Sequence, residues 1–97
     1  MRLEWNRDKA AANFRKHGVS FDEAFTVFDD RFALIFQDED HSLEETREII
    51  IGHSSRNRLL VVCFTERAKD VVRIYSARPA TRKERKEYEE NYGREEY

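Results

Sequence analysis

Val71-Val72-Arg73-Ile74-Tyr75-Ser76-Ala77-Arg78-Pro79-Ala80-Thr81-Arg82-Lys83-Glu84-Arg85 reads as a buried strand that runs, through one turn, into an arginine-dense helix start. Pro79 closes the strand, since proline cannot donate to a sheet ladder. Thr81-Arg82-Lys83-Glu84 is a capping box, in which the threonine hydroxyl and the glutamate carboxylate satisfy each other's backbone N–H at a helix start. Arg73, Arg78, Arg82 and Arg85 fall within thirteen residues. Arginine stays charged at any working pH and offers a planar fork of donors that fits phosphate. Presented by a sheet edge and a helix start, such a cluster has the form of a preformed site for a phosphate backbone.

The elements around this stretch follow from the same signals. Arg58 to Thr65 holds the run Leu59-Leu60-Val61-Val62-Cys63-Phe64, apolar at every position, which predicts a central strand covered on both faces. Arg67-Ala68-Lys69-Asp70 turns it into the strand Val71 to Ala77. Arg47 to Gly52 predicts the strand before it, joined through the turn-prone His53-Ser54-Ser55-Arg56-Asn57. Phe32 to Gln37 predicts a first short strand, followed by an acidic loop from Asp38 to Glu45.

Helices are expected on either side of the strands. Residues 6–17 form the first, with Asn6 as cap, Ala10, Ala11 and Ala12 inside, and Gly18 as stop. Ser20-Phe21-Asp22-Glu23 opens a second, through about Phe28, with Phe21, Ala24, Phe25 and Phe28 on one face. The last helix runs to about Tyr92. The predicted fold class is α+β: two N-terminal helices, a four-stranded mainly antiparallel sheet and a C-terminal helix, with the helices packed on one face.

Composition bounds the function. Ninety-seven residues predict one domain over 1–97, able to bury a modest core without staples. A lone cysteine, Cys63, excludes a disulfide framework and fits a reducing compartment. No apolar stretch reaches the roughly 18 residues that span a bilayer, and no signal-peptide core is present, so a soluble cytoplasmic protein is expected. The net charge of −2 hides an uneven distribution: residues 21–48 carry a balance of −8 and residues 49–85 one of +6. A local basic block can act on an anionic partner where the average charge would not. Mutual neutralisation of the two segments inside the fold is an equally open reading.

Several residues could carry chemistry. Glu66 ends the third strand and Arg73 lies in the fourth; in a meander, adjacent strand ends lie about 5 Å apart, so the two are expected to face one another. A carboxylate among guanidiniums suits RNA cleavage: the carboxylate takes a proton from a ribose 2′-hydroxyl, and the guanidiniums stabilise the charge that builds on phosphorus. The plainer reading makes Glu66 and Arg67 turn residues and Arg73 a strand-edge solubiliser. His17, after Lys16 and before Gly18, suits a helix C-terminus by its charge, or an RNA contact or catalytic acid. His17, His41 and His53 have no ligand spacing, so no metal site is expected. Cys63 is predicted as a core thiol. Tyr75, Tyr88 and Tyr92 could stack on bases or pack the last helix on the sheet. No basic recognition helix is evident, which disfavours a plain DNA binder.

These motifs, in order, resemble the BrnT family of toxins. The resemblance rests on Glu4-Trp5-Asn6, Phe14-Arg15-Lys16-His17-Gly18 through Ala24, Val27-Phe28-Asp29-Asp30, His41-Ser42, Glu45 with Arg47, and Ile51-Gly52. It continues through Arg58-Leu59-Leu60-Val61-Val62, Thr65-Glu66-Arg67, Arg73-Ile74, Ser76-Ala77-Arg78 and Ala80-Thr81-Arg82-Lys83-Glu84-Arg85, roughly residues 3–89. Glu44 stands where the family often has glycine. The resemblance implies a RelE-like fold and a toxin of a type II toxin–antitoxin pair that cuts RNA and arrests translation and growth. It implies a BrnA-like antitoxin as partner, RNA as substrate, and promoter DNA reached only through the antitoxin. On these grounds the chain is expected to be a metal-independent endoribonuclease without a cofactor. Glu66, Arg73, Arg78 and Arg82 are the candidate catalytic residues; Lys16, His17, Arg67 and Arg85 are the candidate RNA contacts. The alternative is a non-catalytic antitoxin-binding module acting in a promoter-bound autorepressor complex.

Overall fold

In the computed structural model, which describes residues 1–38 and 46–95 and side chains through residue 91, one five-stranded sheet carries the architecture. The elements are β1 (Arg2–Glu4), α1 (Arg7–His17), α2 (Phe21–Phe25), β2 (Leu34–Gln37), β3 (Glu48–His53), β4 (Leu59–Ala68), β5 (Val71–Pro79) and α3 (Arg82–Glu95), with a 3-10 turn over Thr26–Asp29. The sheet order is β1-β5-β4-β3-β2. The strands β2 to β5 form the expected antiparallel meander. The acidic loop was expected over Asp38 to Glu45; its residues 39–45, with His41, Ser42, Glu44 and Glu45, lie outside the described residues, as does the Tyr92 side chain.

The sheet corrects the four-strand expectation. Arg2, Leu3 and Glu4 add a fifth strand, parallel to β5, opposite Val71, Val72 and Arg73. Three residues carry no readable period, and their partners lie almost seventy positions away, so nothing local announces them. β1 reaches only the first third of β5. Further along, the side chain of Asn13 on α1 takes the place of a strand: its Nδ2 donates to the carbonyl of Ala77 (2.8 Å), and the Ala77 N–H donates to its Oδ1 (3.1 Å). A buried backbone edge needs such partners, which explains a buried asparagine within an otherwise exposed helix.

Helices cover both faces, not one. On the first face Val19, Phe21, Ala24 and Val27 pack against Ile50, Leu60, Val62, Phe64, Val72, Ile74 and Ala77. On the second, Tyr88 of α3 packs against Ile51, Leu59 and Val61, with Phe32, Leu34, Ile49 and Ala80 around it. Strand β4 therefore buries alternate residues on opposite faces, as its unbroken apolar run predicts. Phe25 and Phe28 are only partly buried, because the helix opened by Ser20 tightens into the 3-10 turn after Phe25. Among the described residues no helix is long and apolar enough to cross a membrane.

Candidate functional site

The basic residues separate into two groups at opposite ends of the β4–β5 hairpin. Arg73 and Arg78 are five residues apart on β5, about 16 Å at the usual rise of a strand. Arg73 belongs to the turn end, where Lys69 and Asp70 reverse the chain; Arg78 belongs to the end where α3 begins.

At the turn end the β4–β5 ladder is irregular. Glu66 pairs with Val72 and Ala68 with Val71, so Arg67 is an extra residue on β4. Such a bulge re-aims side chains. Two adjoining depressions share Arg67: one of about 500 Å³ lined by Thr46, Glu48, Thr65, Glu66 and Arg67, the other of about 580 Å³ lined by Leu3, Glu4, Trp5, Arg7, Arg67 and Arg73. Glu66 and Arg73 do not face one another as expected. The register places Thr65 opposite Arg73 and Glu66 opposite Val72, one step along the pleat. The carboxylate beside Arg73 is that of Glu4, 3.8 Å away on the neighbouring β1. Glu66 lines the first depression and Arg73 the second, and Arg67 lines both.

At the other end Arg78 is already paired. Its two terminal nitrogens donate to the two oxygens of Glu84 at 2.7 and 2.8 Å. Glu84 is also the far member of the capping box: its carboxylate accepts from the Thr81 N–H (2.8 Å), and its own N–H donates to the Thr81 hydroxyl (3.2 Å). The Arg78 guanidinium, with the Thr81 N–H, pushes the Glu84 carboxyl down to about 2 despite its partial burial. Arg82 and Arg85 stand exposed on the first turns of α3. Lys16 and His17 end α1 at this same end, since the following Gly18 carbonyl accepts from Arg58, just before β4. Thus Glu66, Arg67 and Arg73 lie at one end of the hairpin, around two depressions that share Arg67, and Arg78, Arg82, Arg85, Lys16 and His17 lie at the other.

Between the two ends, Tyr75 is flanked by cations. The Arg47 guanidinium lies 4.0 Å from its ring centre and the Lys9 ammonium 5.5 Å. Cys63, partly buried beside Asp38, has its thiol pushed up to about 11 by burial and by that carboxylate, so it stays protonated and unreactive at neutral pH.

The structure also assembles polar clusters from residues assigned no such role in the sequence. Asp30 accepts from the N–H of Phe32 (2.9 Å), the N–H of His53 (2.7 Å) and the hydroxyl of Tyr88 (2.9 Å). Burial works against its ionised form, but these donors prevail and hold its pKa below the usual value. The Tyr88 oxygen lies 3.3 Å from His53 Nδ1. With the phenolic proton committed to Asp30, Nδ1 must be the donor. Gly52 permits this closure: a Cβ there would lie 2.9 Å from both Ala33 Cβ and Asp30 Oδ2. In a second cluster the buried Glu23 accepts from the Ser54 hydroxyl (2.7 Å) and from Arg58 Nε (2.9 Å) and Nη2 (2.5 Å). The Arg58 fork is the main cause of its lowered pKa. A polar residue within an otherwise helical or apolar pattern was the available signal for Asn13 and Glu23. Asp30 carried only its place in the Val27–Asp30 motif, because its three donors come from separate segments.

Comparison with known proteins gives two findings. The family model for the ribonuclease toxin BrnT of type II toxin–antitoxin systems matches residues 5–84. The 1.1 Å crystal structure of the Brucella abortus ribonuclease toxin BrnT superposes with a TM-score of 0.65 at 21% identity, covering 84% of this chain and 99% of that one. At that identity the likeness concerns the fold. No curated protein matches the chain.

Proposed function

The chain belongs to the BrnT family of ribonuclease toxins of type II toxin–antitoxin systems, and on that premise we propose that it is a metal-independent endoribonuclease whose reaction runs at the turn end of the β4–β5 hairpin. The observation that carries this reading is the pair of adjoining depressions joined by Arg67, with Glu66 on one side and Arg73 on the other. Glu66 takes the proton from a ribose 2′-hydroxyl, whose oxygen attacks phosphorus. Arg67 and Arg73 stabilise the added negative charge. The bond to the 5′-oxygen breaks, that oxygen takes a proton from solvent, and the products are a 2′,3′-cyclic phosphate and a 5′-hydroxyl. Base help of this kind is worth roughly 10²–10⁴-fold.

The Arg78–Glu84 pair favours a different role for the other end. With its charge matched by Glu84, Arg78 serves as a fixed strut, and the exposed Arg82 and Arg85 are left to bind. A type II toxin implies an antitoxin. We propose that this surface docks a BrnA-like partner, with promoter DNA reached only through it.

The test is to express the chain alone in bacteria, follow growth, and then incubate the purified protein with RNA in the presence of a chelator. Growth arrest and fragments ending in a cyclic phosphate are expected. Normal growth with intact RNA, at confirmed soluble expression, would reject the proposal.

A further inference from the structure

The groove beside Arg73 has an aromatic wall that the reaction scheme does not use. Trp5 follows β1 directly and remains 42% exposed, although large aromatic side chains are usually well buried. It lines the 580 Å³ depression together with Arg7, Arg67 and Arg73. Among the described residues that line it, these three guanidiniums meet one carboxylate, Glu4, which lies 3.8 Å from Arg73 and helps to fix it. The groove is therefore positive, and one side of it is a flat indole. Its parts come from three places in the chain: the end of β1, the first turn of α1 and the β4–β5 hairpin. Strand β1 brings them together by pairing with Val71, Val72 and Arg73.

We propose that this groove is a subsite for single-stranded RNA, in which Trp5 stacks on an unpaired base next to the scissile phosphate while Arg7, Arg67 and Arg73 hold the flanking phosphates. An aromatic face with a cationic track is the arrangement by which proteins hold single strands, because every base has a π-face and every linkage a phosphate. A duplex cannot enter in this way, since its bases are already stacked on one another. The subsite thus makes the toxin selective for unpaired RNA. The inference rests on the ribonuclease reading above and extends it to substrate form.

Trp5 is the sole tryptophan of the chain, so intrinsic fluorescence reports on this wall alone. The purified protein is titrated with a fully 2′-O-methylated single-stranded oligoribonucleotide, which cannot be cleaved, and with the same sequence as a duplex. Binding is followed in parallel by anisotropy of an end-labelled copy. The single strand is expected to quench Trp5 saturably and the duplex to leave it unchanged. Trp5→Ala should weaken single-strand binding by roughly 5- to 150-fold, the worth of one stacked base, and Trp5→Phe should recover part of the loss. Arg7→Ala should reduce the salt dependence of binding by about 0.7 in the log–log slope, the contribution of one phosphate contact to a single strand. Binding by anisotropy with unchanged Trp5 emission would overturn the subsite and leave the ribonuclease reading standing. Equal quenching by the duplex, or quenching by the antitoxin but not by RNA, would also overturn it. Failure of the protein to bind or cut any RNA would instead remove the reading on which the subsite rests.

Discussion

Arg78 and Glu84 face each other through two parallel hydrogen bonds of 2.7 and 2.8 Å, so the corner between β5 and α3 carries its own counter-charge. The same carboxylate caps α3 at Thr81. One side chain thus joins the helix start to the sheet. Glu84→Ala is expected to destabilise the fold by about 1–2 kcal/mol, combining a lost cap with a partly exposed bidentate pair. Arg78→Lys should cost less but not be silent, since an ammonium cannot reproduce the fork. Urea unfolding of the two variants checks both values.

Among the described residues of α3, Tyr88 is the buried one, and it meets both the apolar face and the Asp30 cluster. Tyr88→Phe removes one donor from Asp30 and should cost about 1 kcal/mol. Tyr88→Ala also empties the space against Ile51, Leu59 and Val61, and should cost about 3–5 kcal/mol. If the two substitutions prove equally mild in thermal unfolding, α3 is not held on the sheet in this way.

Acid should act through three carboxylates. Glu23, Asp30 and Glu84 are each held below their ordinary values of 4.5, 3.8 and 4.5, Glu84 at about 2. A lowered folded-state pKa gives stability that is complete above the ordinary value and lost as pH falls through the folded one. Stability should therefore be flat near neutrality and decline below about pH 4.5, with the Glu84 contribution still falling near pH 2. Glu84→Gln should flatten the lowest part of that decline in a pH series of denaturation midpoints.

Asn13 closes the edge of β5 beyond β1 by bonding both backbone groups of Ala77. Asn13→Ala leaves the buried N–H and carbonyl of Ala77 unpaired and also removes the bond to the Val19 carbonyl; the two Ala77 groups alone should cost about 2–6 kcal/mol, at roughly 1–3 kcal/mol each. Hydrogen exchange at the Ala77 amide should accelerate sharply in this variant, and unchanged protection there would contradict the role.

Much of the fold was readable because its signals are local. The Ser20 cap of α2, the Thr81–Glu84 capping box, the alanine run, Gly18 and the unbroken apolar run of β4 each declare an element within a few residues. What escaped depends on distant partners. β1 is a strand only because β5 lies beside it, and α3 crosses to the second face only because Tyr88 finds Ile51, Leu59 and Asp30 there. The candidate site divided in the same way. Arginines counted along the stretch look like one cluster, but a strand spreads Arg73 and Arg78 about 16 Å apart and the Glu66–Ala68 bulge decides which residues meet Arg73. Trp5 and Arg7 reach the groove through β1, so their place in it could not be seen before that strand was known.

The decisive measurement is the rate at which Arg73→Ala and Arg82→Ala cut a single-stranded RNA in the presence of a chelator, beside the unaltered toxin and with folding verified by thermal unfolding. Arg73→Ala should be slower by roughly 10²–10³-fold, the usual loss when a stabiliser of transition-state charge is removed, while Arg82→Ala should stay within about tenfold, as expected for a binding contact. Cleavage by Arg73→Ala at the unaltered rate, with Arg82→Ala inactive, would place the chemistry at the other end of the hairpin and contradict the account.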